Sequence, residues 1–217
     1  MKVNSIFTSI DGEINAWYQG RISTFVRLQG CNLRCEYCDT LYAQDYSPFV
    51  YTPTPYQVFD ILEKTGCKNV TITGGEPLLQ KSELKILLDL LVENRYQISV
   101  ETNGTISPIK GYEPVVSYVV DYKCPSAGKQ AISAMDDSLF LDLTAFDFIK
   151  FVIGNELDYE FAKMKFLQLL SKDCEAVFAM SLHGKEVMHK DLVNWLIRDR
   201  LFDVAVNVQI HKLIGVQ

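Results

Sequence analysis

Residues 24–40 read TFVRLQGCNLRCEYCDT, in which a largely apolar run leads directly into three closely spaced cysteines. Residues 24–28 are predicted to form a strand, and Cys31, Cys35 and Cys38 follow it with the spacing Cys-x3-Cys-x2-Cys. Three thiolates on one loop can bind three irons of a cubane cluster, which leaves the fourth iron open to a small molecule. A structural zinc site would need a fourth, distant Cys or His and is the alternative interpretation of this spacing.

The rest of the chain alternates short β-branched runs with amphipathic segments. The predicted strands span residues 24–28, 70–73, 98–102, 115–122, 146–152, 176–180 and 204–208. The predicted helices, with apolar residues three and four positions apart, span residues 55–65, 82–94, 156–171 and 187–200. This alternation indicates right-handed crossovers and a mostly parallel sheet. Because a full eight-unit barrel takes ~250 residues, we expect one domain over residues 1–217, folded as an incomplete α/β barrel of the TIM type with about six core parallel strands. That is one strand fewer than the pattern predicts.

The composition describes a globular protein, since 48% of the 217 residues are hydrophobic and 22% are charged. A net charge of −6 argues against binding to nucleic acid or to a membrane surface. The N-terminus lacks a signal-peptide pattern, and no apolar run approaches the ~18 residues of a membrane span. We therefore expect a cytoplasmic protein with reduced thiols, in which the scattered Cys67, Cys124 and Cys174 are mainly small buried hydrophobic residues.

Unusual polar motifs directly follow most of the predicted strands. The cysteine loop follows the strand at 24–28, a Gly-Gly-Glu-Pro turn at 74–77 follows the strand at 70–73, and Asn103-Gly104 follows the strand at 98–102. Lys123, Ser181 and Gln209 follow three later strands in the same way. Because the carboxyl ends of parallel strands line one face of such a fold, we expect these motifs to form one site.

The cysteine loop and the Gly-Gly-Glu-Pro turn together resemble those of radical S-adenosylmethionine enzymes. The resemblance implies a [4Fe–4S] cluster whose open iron is chelated by the methionine moiety of S-adenosylmethionine, which the reduced cluster cleaves to a 5′-deoxyadenosyl radical. Gly74 and Gly75 would let backbone groups approach that ligand closely. Glu76 would accept a hydrogen bond from its ammonium group.

A narrower resemblance is to the 7-carboxy-7-deazaguanine synthase family of queuosine biosynthesis. It rests on motifs that occur in family order along nearly the whole chain, at residues 9–13, 24–28, 30–40, 73–77, 101–104, 121–126 and 209–212. The resemblance implies ring contraction of 6-carboxy-5,6,7,8-tetrahydropterin to 7-carboxy-7-deazaguanine with loss of ammonia, assisted by Mg²⁺. It also implies an external electron donor such as flavodoxin or ferredoxin, and a homodimer.

The same resemblance assigns roles to individual positions. S-adenosylmethionine would be bound by Tyr37, Cys38, Asp39, Gly75, Lys123, Ser126, Ser181, Leu182, His183 and Gly184. The pterin would be bound by Ile10, Asp11, Gly12, Arg27, Thr73 and Gln217. Thr40 would bind magnesium through its hydroxyl oxygen, a ligand that suits a hard cation. No side chain is assigned as catalytic, because the radical would arise from cluster-bound S-adenosylmethionine.

Two departures and one rival accompany this assignment. The family often has Gln where Asp11 stands and Gly where Ile14 stands, so the sequence leaves open how the pterin amino groups are recognised. The rival within the superfamily is an activating enzyme that installs a glycyl radical on a large partner protein. Asp39 and Thr40, together with the motif at 9–13, favour a small substrate with a metal over that rival.

Overall fold

A single eight-stranded sheet organises the chain, and its spatial strand order follows the sequence. The computed structural model describes residues 1–45, 51–184 and 186–216. Its strands are β1 Val3–Ile10, β2 Ile22–Leu28, β3 Asn69–Gly74, β4 Gln97–Thr102, β5 Val116–Tyr122, β6 Phe148–Ile153, β7 Val177–Leu182 and β8 Val204–Asn207. Strand β1 is antiparallel to β2, whereas every later neighbouring pair is parallel. The expected incomplete, mostly parallel barrel is confirmed, with seven parallel strands instead of about six.

All seven predicted strands are present, and their ends agree with the prediction to within two residues. The additional strand β1 was not predicted, because Asn4, Ser5, Thr8 and Ser9 interrupt its apolar residues. Its side chains are mostly half-buried, as expected for a strand that pairs on one side only. Edge strands carry a weak hydrophobic pattern for this reason.

The helices are α1 Pro55–Thr65, α2 Lys81–Glu93, α3 Lys129–Ser133, α4 Asp137–Leu141, α5 Glu156–Leu170, α6 His189–Arg198 and α7 Ile210–Ile214. The four predicted helices correspond to α1, α2, α5 and α6. Helices α3, α4 and α7 were missed because each has five residues, too few to display a helical period. None of the helices within the described ranges has both the length and the apolar character needed to cross a bilayer.

Helix α2 shows how the amphipathic segments attach to the sheet. Its stripe of Leu84, Leu87, Leu88 and Leu91 is completely buried in the main core cluster. Burial of each leucine contributes about 1.5–3 kcal/mol of transfer free energy. Truncation of Leu88 to alanine would therefore cost about 2–5 kcal/mol.

Side-chain hydrogen bonds connect the two edges of the open barrel. The segment between β1 and β2 reaches the end of β8, where Ile14 N donates to Asn207 Oδ1 over 2.9 Å. Gln19 Nε2 donates to Asn207 Oδ1 over 2.8 Å and to the Val208 carbonyl over 2.7 Å. The first and last strands thereby enclose the face on which the polar motifs lie.

Candidate active site

One cavity of about 370 Å³ lies at the carboxyl ends of the strands. It brings together segments that are distant in sequence, as expected from the motifs that follow the strands. The assigned residues that line it are Ile10, Gly12, Arg27, Cys31, Cys35, Tyr37, Cys38, Asp39, Thr40, Thr73, Gly75, Lys123, Leu182 and His183. Among the remaining assignments, Asp11, Ser126, Ser181 and Gly184 do not line this cavity, and Gln217 lies outside the described residues.

The cysteine loop is held by its own backbone and by a small apolar cluster. Leu33 is buried against Ala127 and Ala131, and Cys31 and Cys35 pack on the same cluster. The thiol of Cys31 accepts from Leu33 N over 3.4 Å. Burial raises the pKa of Cys35, an effect that the nearby Lys123 ammonium opposes.

The donor set fits an iron–sulfur cluster with three protein ligands. All three cysteines are free and face one cavity. Within residues 1–45, 51–184 and 186–216, no three His, Cys, Asp or Glu side chains are placed so that they could hold a metal ion together. The thiolates of a cubane bind separate irons, so a cluster does not require donors that converge on one ion.

The turn after β3 packs directly beneath the cysteine loop. Gly75 N donates to the Leu28 carbonyl over 3.0 Å, and Glu76 N donates to the Gly30 carbonyl over 2.8 Å. A Cβ atom on Gly75 would lie 2.2 Å from the Gly30 carbonyl oxygen, so only glycine fits at this approach. These backbone contacts place Gly75 at the wall of the cavity.

Glu76 does not face the cavity, so the expectation that it accepts from a ligand ammonium is wrong. Its carboxylate is fully buried and accepts from Leu78 N over 2.9 Å, Thr102 Oγ1 over 2.8 Å and Asn103 N over 2.7 Å. Burial raises its pKa to about 7, against the effect of those three donors. Glu76 joins the end of β3 to the end of β4.

Four alternating charges lie in the wall of the cavity. Lys150 Nζ is 3.1 Å from Glu13 Oε2 and 3.2 Å from Asp121 Oδ1, and Lys123 Nζ is 2.6 Å from Asp121 Oδ2. Although burial opposes charge on both groups, the two lysines lower the pKa of Asp121, and the acidic residues raise the pKa of Lys150 well above its ordinary value. Sequence reasoning assigned no role to Glu13, Asp121 or Lys150. The available signal was a lone lysine in the apolar run of β6, FIKFVI.

Arg27 is the cavity cation without a carboxylate partner in the described parts of the chain. Its Nε is buried and has no hydrogen-bond partner there, and its guanidinium carbon lies 5.8 Å from the Phe7 ring centroid and 5.9 Å from that of Tyr42. A planar cation held between rings and left unpaired suits an anionic ligand group.

Among the described residues, Glu101 is the cavity carboxylate that forms no ion pair. Thr73 Oγ1 donates to its Oε2 over 2.7 Å. Burial, followed by the nearby negative charge of Glu13, raises its pKa to about 7, although Lys150 opposes this. Glu101 can therefore hold or release a proton near neutral pH.

Asp39 and Thr40 form a pair of oxygen donors at the cavity rim. Thr40 Oγ1 donates to Asp39 Oδ1 over 3.0 Å, and Lys212 Nζ of α7 lies 2.8 Å from Asp39 Oδ2. Partial burial opposes the charge of Asp39, but the hydrogen bond from Lys212 lowers its pKa. Helix α7 is thereby attached to the end of the cysteine loop.

Tyr37 supplies an apolar surface between the cysteines. Its ring centroid lies 4.8 Å from that of His183, and Lys123 Nζ lies 6.0 Å from its centre. The Tyr37 hydroxyl is buried without a hydrogen-bond partner among the described residues. Such an orphaned group beside a cavity marks a place for a polar ligand atom.

Two assigned residues make structural contacts elsewhere. Asp11 accepts from Thr71 Oγ1 over 2.9 Å and from Asn15 Nδ2 over 3.0 Å, and burial raises its pKa to about 6. Its carboxylate thus has no access to the cavity, which Glu13 lines instead. Ser126 N donates to Asp158 Oδ1 over 2.9 Å, and its hydroxyl donates to the same carboxylate.

A second cavity of about 530 Å³ adjoins the first and shares Leu182, His183, Gln209 and Lys212 with it. Ser181 and Gly184 line this second cavity. The Ser181 hydroxyl is buried and has no hydrogen-bond partner among the described residues. The carboxyl end of β7 and the turn that follows it therefore lie between the two cavities.

Comparisons with known proteins agree with this geometry. A model of the radical SAM superfamily matches residues 25–123. A 7-carboxy-7-deazaguanine synthase from Clostridium acetobutylicum is 32% identical over 98% of this chain and 95% of that protein. A protein of the same name from Koribacter versatilis is 35% identical over 99% of this chain and 96% of that protein. The crystal structure of QueE from Escherichia coli is similar in fold, with a TM-score of 0.70 at 21% identity over 95% of this chain and 92% of that chain.

Proposed function

Since the chain belongs to the 7-carboxy-7-deazaguanine synthase family of radical S-adenosylmethionine enzymes, we propose that it converts 6-carboxy-5,6,7,8-tetrahydropterin to 7-carboxy-7-deazaguanine with loss of ammonia. The proposal is supported chiefly by one observation. Three free thiols on one loop line the same cavity as Arg27, which has no acidic partner among the described residues. This arrangement suits a redox cluster and a small anionic substrate in close proximity.

Cys31, Cys35 and Cys38 would hold a [4Fe–4S] cluster, which supplies the electron that cleaves S-adenosylmethionine. Tyr37 and Leu33 would cover the cluster with apolar surface and limit the access of water. The Gly75 backbone and the Tyr37 hydroxyl, which has no hydrogen-bond partner within the described ranges, offer polar contacts for S-adenosylmethionine. Ser181 and Gly184 would contact its nucleoside part from the second cavity.

Arg27 and Glu101 would bind and act on the pterin. The guanidinium of Arg27 would pair with the substrate carboxylate, and the Glu101 carboxylate would accept from ring N–H groups. Loss of ammonia requires a proton on the departing nitrogen, and Glu101, with a pKa raised to about 7, can hold that proton on its carboxyl oxygen. Thr40 and Asp39 would supply oxygen ligands for magnesium.

A turnover assay tests this function. The chain is purified and its cluster reconstituted under anaerobic conditions, then incubated with the pterin, S-adenosylmethionine, Mg²⁺ and dithionite. We expect a deazapurine product by mass spectrometry, and none from a Cys35→Ser control. Cleavage of S-adenosylmethionine without any deazapurine would support the glycyl-radical activating enzyme instead. One bound zinc with no iron would exclude both enzymes.

Two partner assignments and the compartment remain part of the proposal. The family reaction calls for a one-electron donor such as flavodoxin or ferredoxin, and a homodimer is predicted from the resemblance. A reducing compartment such as the cytoplasm would keep the three cysteines available as thiolates.

A further inference from the structure

Beside Cys31 lies a closed ring of three side chains, which we call the Asn–Thr ring: Asn32, Asn103 and Thr105. Asn103 Nδ2 donates to Asn32 Oδ1 over 2.8 Å, and Asn32 Nδ2 donates to Thr105 Oγ1 over 2.8 Å. Thr105 Oγ1 closes the ring by donating to Asn103 Oδ1 over 2.6 Å. Because each member donates to the next, the three bonds reinforce one another.

The ring fixes which side of the Asn103 amide faces the cysteine loop. Its Oδ1 atom accepts from both Oγ1 and N of Thr105, the latter over 3.1 Å. The NH₂ group is therefore directed to the opposite side. One of its hydrogens is used by Asn32, and the nitrogen lies 3.6 Å from the Sγ atom of Cys31. Asn103 thus donates an N–H···S hydrogen bond to an expected cluster ligand.

Glu76 fixes the backbone of Asn103 by a hydrogen bond. The carboxylate accepts from Asn103 N over 2.7 Å and from the hydroxyl of Thr102 over 2.8 Å. Asn103 itself is 7% exposed. Hydrogen bonds thereby join the turn after β3, the turn after β4 and the cysteine loop, and they run from the buried Glu76 and Asn103 to the exposed Asn32.

We propose that Asn103 raises the reduction potential of the cluster by its hydrogen bond to Cys31, with Asn32, Thr105 and Glu76 as positioning residues. The inference rests on the proposed function, because it requires a cluster at Cys31. On reduction the cluster gains one electron from a one-electron reductant, and no bond forms or breaks. The added negative charge spreads onto the ligand sulfurs, so an N–H donor favours the reduced state. The hydrogen bond from Asn103 therefore makes the cluster easier to reduce.

A redox titration monitored by electron paramagnetic resonance tests the inference on reconstituted protein, without S-adenosylmethionine or pterin. Asn103→Leu removes the donor at similar side-chain size. We expect its equilibrium constant for reduction to fall about tenfold, which corresponds to a midpoint ~59 mV lower for a one-electron couple. Asn103→Asp keeps the oxygen that Thr105 needs and should lower the midpoint further, because it adds a negative charge.

Three comparisons separate tuning from general damage. Asn4→Leu makes the same change on β1, where Asn4 Nδ2 donates to Gln29, and should keep the wild-type midpoint. Thr105→Val should give a smaller decrease than Asn103→Leu, and Thr105→Ser should restore the midpoint. Iron and sulfide content must match wild type in every variant that is titrated.

A measurement on wild-type protein covers the case in which Asn103 variants do not retain a cluster. Protein carrying ¹⁵N in the asparagine side chains is reduced and examined by pulsed electron paramagnetic resonance. We expect a ¹⁵N hyperfine coupling to the cluster that persists in Asn32→Asp, which removes the neighbouring amide nitrogen but keeps the oxygen that accepts from Asn103. Its absence in wild type, or its loss in that variant, would overturn the inference.

An unchanged midpoint in fully loaded Asn103→Leu would also overturn it, above all if the KM for S-adenosylmethionine rises, because Asn103 would then be a ligand of that molecule. Failure of the proposed function is distinguishable. A wild-type protein that forms no deazapurine, yet shows the expected midpoint shift on Asn103→Leu, would refute the substrate assignment and leave the role of Asn103 intact.

Discussion

At the level of single residues, two cations of the cavity form ion pairs, whereas Arg27 forms none with the described residues. Lys123 and Lys150 are neutralised by Asp121 and Glu13 within 3.2 Å. Arg27 has aromatic neighbours and, in the described parts of the chain, no carboxylate partner. A charge that is already paired contributes less to binding a new anion, so the assignment of the substrate carboxylate to Arg27 follows from its neighbours.

Arg27→Ala tests that assignment. Loss of a charge-assisted hydrogen bond costs about 1.5–3 kcal/mol, so we expect the KM for the pterin to rise roughly 10–100-fold. Cleavage of S-adenosylmethionine should stay within threefold of wild type, because Arg27 would not contact it. The matched control is Arg21→Ala, which removes a guanidinium that bonds Trp17 O and Gln97. Equal losses in both activities of Arg27→Ala would contradict a substrate role.

Glu101 gives the fold a pH-dependent contribution of known sign. Its pKa is raised from 4.5 to about 7 in the folded chain, so the unfolded chain releases this proton first. The stabilising effect of protonation is complete below pH 4.5 and is lost as the pH rises to about 7. In the wild-type protein the unfolding free energy should therefore decrease by on the order of 2 kcal/mol over this pH range. We expect Glu101→Gln to abolish that decrease.

Urea unfolding of the cluster-free protein at pH 5 and pH 8 measures this effect. For each protein, the change in unfolding free energy between the two pH values is determined. The change in Glu101→Gln is then subtracted from the change in wild type, which leaves the contribution of Glu101 and cancels that of Asp11, whose pKa is also raised. Identical pH dependence in the two proteins would show that Glu101 keeps its ordinary pKa.

The sequence predicted the residues whose partners are close in the chain and missed those whose partners are distant. Cys31, Cys35 and Cys38 form a recognisable pattern because one loop carries all three. Lys150 contacts Glu13, which lies more than a hundred positions away, so no local pattern could reveal the pair. Asp11 was assigned to the pterin from its motif, whereas its bond to Thr71 appears only in three dimensions.

At the level of elements, predictability followed the strength of the hydrophobic pattern. Most residues of the parallel strands are buried, and each strand carries several β-branched or aromatic residues, so all seven were found. Strand β1 and the five-residue helices α3, α4 and α7 lack a long period and were missed. The site itself is formed by turns after the strands. In these turns, close contacts between backbone segments determine the structure more than the hydrophobic pattern does.

Gly75→Ala tests the closest of those approaches. The new Cβ would lie 2.2 Å from the Gly30 carbonyl oxygen, and backbone on both sides prevents relaxation. We expect a loss of about 1–3 kcal/mol in unfolding free energy and a clear decrease in iron bound per chain. Gly154→Ala is the matched control, because its Cβ would lie no closer than 3.2 Å to side-chain oxygens of Asp158 and Ser126. Full iron loading in Gly75→Ala would contradict the close packing of the turn beneath the cysteine loop.

At the level of the whole molecule, the open barrel is closed by side chains instead of backbone pairing. The sequence predicted an incomplete barrel, yet it gave no indication of how the first and last strands are connected. Asn207 is fully buried and bonds the segment between β1 and β2 through Ile14, Gln19 and Glu13. Such long-range polar contacts form only when the sheet is assembled, so no periodic pattern in the sequence indicates them.

Asn207→Ala should open this closure while the core stays folded. The change removes the acceptor of Ile14 N and one hydrogen bond each from the Gln19 amide and Glu13 Oε2, which keep the Val208 carbonyl and Lys150 as partners. We expect a cost of about 1–3 kcal/mol, chiefly from the unsatisfied Ile14 N. We expect faster hydrogen exchange in residues 11–21 and 204–216, measured by mass spectrometry, and unchanged exchange in β3 and β4. Asn94→Ala, which removes an exposed bond to Leu90 O at the end of α2, should leave both regions protected. Uniformly faster exchange across the sheet in Asn207→Ala would show that the two edges and the core unfold together.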